Sequence, residues 1–216
     1  MIQSSMFTTK LRVRPLVGFL QHSDVWEGPC RAGRWEALQP EAEKEWAKKM
    51  FPQFVDQLKD VIPQVEILEP LAVPYLETMT VSQDIWDNIE AMLPQTDLFL
   101  VMCYRIPKLE RYRKTTVVFS NGNEGADVCA YYRSIGVEAY NAIDIPDLNE
   151  ILHAMWVREC IANTRALGLT SGQVPTYGIQ SNIRDLEYLR RQYGFEVIKL
   201  PYKEISPYMD RVDENE

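Results

Sequence analysis

The chain has 216 residues, 46% hydrophobic and 25% charged, and its 23 Lys plus Arg against 31 Asp plus Glu leave a net charge of −8. That composition excludes disorder and collagen-like order, and the length holds one large domain or a domain with a smaller second unit. An acidic chain lacks the basic footprint of a nucleic-acid binder, and no apolar run approaches the ~18–20 residues of a membrane span, so a soluble cytoplasmic protein is expected.

Leu11 to Leu20 (LRVRPLVGFL) reads as a first strand, with Pro15 placing its earlier half at an edge or outside the sheet. Glu41 to Ile62 repeats apolar residues at Trp46, Met50, Phe54, Leu58 and Ile62, the stepping of one helix face, with Pro52 as a kink. Val65 to Leu68 is a short strand, and Ser82 caps a helix that runs to Leu93. Asp97 to Cys103 (DLFLVMC) and Thr115 to Ser120 (TTVVFS) are continuous apolar runs of the kind buried on both faces in parallel sheets. Between them, Arg105, Lys108, Arg111, Arg113 and Lys114 face only Glu110, which fits a solvated connection better than a polyanion site.

Glu124 to Ile135 is a helix closed by Gly136, followed by the strand Val137 to Ile143. Pro146 opens a long helix through Leu167 with Gly168 as its C-terminal cap, and Thr170 to Pro175 is the linker candidate. A strand at Thr176 to Gln180, a helix from Ile183 and a strand at Phe195 to Leu200 complete a βαβ unit, and Asp210 to Glu216 is an acidic tail. The fold class is therefore α/β: a Rossmann-like, flavodoxin-like, mostly parallel sheet with helices on both faces, then a second, partial βαβ unit. The expected boundaries are 1–169 for the first domain and 176–216 for the start of a second.

No GxGxxG follows a strand and no GxxxxGK[ST] occurs, so the backbone cradles for dinucleotides and nucleoside triphosphates are missing. Where a response regulator carries its acidic pair and phosphoacceptor, this chain has Gln21, His22, Ser23 and Asp24, then Cys103 and Tyr104. The four cysteines, Cys30, Cys103, Cys129 and Cys160, form no CxxC pair. Cys103 alone, at a strand end, invites a nucleophile reading that requires a base within about 3 Å.

Ligands of open α/β sheets bind at the carboxyl ends of the strands. There the sequence offers His22, Trp26, Arg31 and Arg34 after the first strand, Tyr104 after the third apolar run, and Asn121, Asn123 and Glu124 in NGNEG ahead of a helix. Stacking rings, forked donors, amides and a carboxylate suit a polyhydroxylated or anionic small molecule.

RPLVGFL with its loop of Gly and Arg, DLFLVMCY, VVFSNGNEGADVCAYYRSIGVEAYNAID and PTYGIQSNIRDLEYLRRQYGFEVIKLPYKEI follow one another in an order that resembles the N-terminal region of the L-fucose isomerase and L-arabinose isomerase superfamily. The resemblance implies a Rossmann-like first domain, the opening of a second α/β domain, and a later C-terminal region that completes the active site. It implies aldose–ketose interconversion with a divalent metal, usually Mn2+, in a homo-oligomer whose N-terminal domain approaches a neighbour's active site. The metal ligands and acid/base carboxylates of that family belong to later segments, so no catalytic residue and no metal ligand is carried over, and Trp26, Arg31 and Arg34 become expected sugar contacts. The resulting expectation is a catalytically incomplete module that helps to bind a sugar and to assemble an oligomer, or joins a partner chain carrying the C-terminal catalytic region. The alternative is a free-standing sugar-binding or regulatory protein.

Overall fold

A computed structural model describes residues 9–21, 40–76, 78–103, 105–170 and 186–209. The chain divides into two compact units, Lys10–Met155 and Met1–Thr9 with Trp156–Glu216.

The larger unit is built on β1 (Leu11–Gln21), which is buried almost throughout. β2 (Val65–Ile67) and β3 (Leu71–Leu76) both pair with β1 in parallel, β2 along Leu11 to Val13 and β3 along Leu16 to Gln21. They are two halves of one strand, broken at Leu68-Glu69-Pro70. On the other side of β1 come β4 (Leu98–Cys103), β5 (Thr115–Phe119) and β6 (Ala139–Ala142), all parallel. The sheet order is β2-β1-β4-β5-β6 with β3 beside β1, the doubly wound, flavodoxin-like arrangement. The continuous apolar runs become central strands because helices bury both of their faces.

Pro15 departs from expectation: it sits inside a central strand. The N–H of Leu11 donates to Gln64 O and Val13 O accepts from Leu68 N, so the backbone polar groups of odd-numbered residues here point towards β2 and β3. The missing donor of Pro15 therefore falls opposite the break between those two strands, where no ladder bond is lost. Arg14 fills the same place: its side chain, 5% exposed, donates to Glu69 O at 2.6 Å.

Strand register sorts the two faces. Leu16, Val101, Val118 and Asn141 form one row across β1, β4, β5 and β6. That face is covered by α2 (Gln83–Met92), the short 3-10 turn Leu109–Tyr112 and α3 (Asn123–Ser134), through Trp86, Ile89, Ile106 and Leu109 at one end and Cys129 and Tyr132 at the other. Gly136, at φ 76°, closes α3 in the left-handed region that glycine adopts without cost. On the opposite face lies α1 (Pro40–Gln57), with Phe54 stacked on Phe119 at 6.0 Å. α4 (Ile145–Ala162) is tied to the end of this layer by Asn149, which accepts from Ile62 N at 3.0 Å and donates to Asp60 O at 3.2 Å.

The basic run between β4 and β5 is a structural connection. Arg105 lies 4.4 Å over the Tyr131 ring, and Arg111 lies 4.2 Å over Trp86 while bonding Glu90 at 2.9 Å. Lys114 donates to Thr96 O at 2.7 Å and Arg113 to Gly136 O at 3.4 Å. Stacked or spent on carbonyls and carboxylates, these cations hold the connection against α2 and α3.

In the smaller unit, β7 (Arg165–Thr170), α5 (Leu186–Tyr193) and β8 (Glu196–Pro201) form a parallel two-stranded βαβ unit, followed by α6 (Tyr202–Met209). This corrects the long helix expected to reach Leu167: α4 stops at Ala162, and Gly168 is a strand residue. Thr164 turns the chain, its hydroxyl returning to Cys160 O at 2.6 Å, and Leu167 then pairs with Ile198 across the strands. The expected strand at Thr176 to Gln180 and most of the linker at Thr170 to Pro175 lie outside the described residues.

Candidate functional site at the β5–α3 edge

Parallel strands all deliver their following loops to one edge of the sheet. Of the residues expected to bind there, His22, Trp26, Arg31, Arg34 and Tyr104 lie outside the described residues, as does the side chain of Cys103. Asn121, Asn123 and Glu124 are described, and they fall on the turn from β5 into α3.

That turn is short because Ser120 closes it. Its N–H donates to Ala142 O at 2.9 Å, holding the end of β5 beside β6, and its hydroxyl accepts from Gly122 N at 3.2 Å. Gly122 is the N-terminal cap of α3 and supplies no side-chain cap. The Glu124 carboxylate folds back over it into the space a Cβ would fill. Asn121, Asn123 and Glu124 are solvent-facing. The neighbouring α4 differs: Asp144 Oδ1 accepts from Asp147 N at 2.9 Å in its first turn, and Asp147 Oδ2 reaches back to Ile143 N at 3.0 Å, a reciprocal side-chain cap. At α3 the N-cap position, Gly122, makes no such side-chain bond.

The residue beneath this turn carries no signal in the sequence. Asn141, in the middle of β6, points to the α3 face, and its Oδ1 is buried with no hydrogen-bond partner. It lies against Gly125 so closely that a Cβ there would overlap Oδ1, and that Cβ would also come within 3.0 Å of Ser120 Cβ. Ser120, Gly125 and Asn141 thus meet under the first turn of α3. A buried amide oxygen without a partner is costly, and most such groups in native folds are met by a protein group or an ordered water. An amide, a hydroxyl and a carboxylate can together donate to and accept from the hydroxyls of a polyol.

Comparison of the chain with protein-family models, with curated proteins and with solved structures gives no match.

A divalent cation such as Mn2+ needs several oxygen ligands converging on one point. Among the described residues no three His, Cys, Asp or Glu side chains converge, and the carboxylates of Asp144 and Asp147 accept from the N–H groups of Asp147 and Ile143. The described donors at this edge, an amide, a hydroxyl and a carboxylate, can bind and orient a hydroxylated ligand. His153 is exposed on α4, and Cys129 and Cys160 are buried at 0% and 3% exposure, the Cys129 thiol pushed up by desolvation and so held as an inert thiol. No helix among the described residues is long and apolar enough to cross a membrane.

Proposed function

We propose that this chain is a sugar-binding α/β module of the kind that opens the L-fucose and L-arabinose isomerases, contributing to substrate binding and oligomer assembly without carrying the metal-dependent chemistry. The reading rests on the buried Asn141 Oδ1, which has no hydrogen-bond partner, beneath the start of α3, whose N-cap Gly122 makes no side-chain bond, at the strand-end edge where doubly wound folds bind ligands. Ser120, Asn123 and Glu124 add hydroxyl, amide and carboxylate groups of the type that contact neutral hydroxylated ligands. Trp26, Arg31 and Arg34 are candidate contacts by their chemistry, a stacking ring and forked donors, and Mn2+ would belong to a site completed by a partner chain or a C-terminal region.

Binding and catalysis are separable in this account. Thermal unfolding of the chain against a panel of aldoses, ketoses and alditols shows a concentration-dependent rise in Tm for at least one of them. Adding Mn2+ with the same sugars produces no ketose from aldose. Measurable isomerisation by the chain alone overturns the non-catalytic assignment, and an unchanged Tm across the whole panel at saturating sugar overturns the binding assignment.

A further inference from the structure

We draw no further inference here: the strongest candidate, the apolar face of the two-stranded β7–β8 sheet where Leu167 and Ile198 lie opposite one another at 58% and 45% exposure, carries nothing because nothing in the structure shows what covers it.

Discussion

Asn141 Oδ1 occupies the space a side chain on Gly125 would need, so the first turn of α3 can pass over β6 only because residue 125 has no Cβ. The contact joins a strand residue to a helix residue and fixes where the start of α3 stands relative to the amide beneath it.

Gly125→Ala therefore forces Asn141 and Ser120 to move. Overpacking of this kind costs about 1–3 kcal/mol. Asn141→Ala removes the overlapping oxygen, so combining the two changes recovers part of the loss, with a coupling of at least about 0.5 kcal/mol in a double-mutant cycle. Urea unfolding of the four proteins measures it. Strict additivity would mean that the two residues are not in contact.

Arg14 gives a second test. Its guanidinium is buried, its Nε has no partner, and desolvation pulls its pKa down while Glu69 pushes the other way. Replacing a buried charge by an apolar chain of similar length is often neutral or stabilising, whereas truncation leaves a cavity. Arg14→Met is accordingly expected within about 1 kcal/mol of the parent, and Arg14→Ala lower by about 2–4 kcal/mol. Equal losses in the two variants would show that the charge itself, through its bond to Glu69 O, holds the β2–β3 break.

Stability also depends on alkaline pH through Tyr132. Burial against the sheet pushes its phenol well above the ordinary tyrosine value, Glu110 adds to the rise and Arg105 opposes it. The folded state then holds this proton more tightly than the unfolded chain. The stabilisation linked to it is complete below the unfolded value of about 10 and declines as pH rises past it, by up to about 1.4 kcal/mol per pH unit. Tyr132→Phe removes most of that decline. Chemical denaturation at pH 9 to 11 reads the slope, and identical slopes in the two proteins would place the alkaline lability elsewhere.

Much of this architecture was legible in the residues. Asp97 to Cys103 and Thr115 to Ser120 announce buried parallel strands by unbroken apolar character, and Gly136 marks the end of α3 because a left-handed residue is needed there. β3 was hidden because Pro70 and Pro74 punctuate it, and Pro74 is tolerated on a strand that, among the described residues, pairs only with β1. The strand Arg165–Thr170 was masked by apolar spacing that continues the helical stepping of α4 through Leu167. Helix and strand patterns overlap over such short windows. Asn141 was invisible for a different reason. Within AYNAID it reads as a polar residue on an edge strand, and only the register that aligns it with Val118, together with the absence of a side chain at Gly125, places it under α3.

A hydroxylated sugar is proposed to bind at the β5–α3 edge over Asn141. The most direct measurement is a two-dimensional amide NMR titration of the full chain with the sugar that raises Tm most, repeated on Asn141→Ala. Saturable shifts are expected at the amides of Asn121 to Gly125 and at the side-chain amide of Asn141, with affinity at least about tenfold weaker in the variant, the cost of roughly one lost hydrogen bond. Saturable binding whose shifts spare that turn, with unchanged affinity in Asn141→Ala, would contradict it.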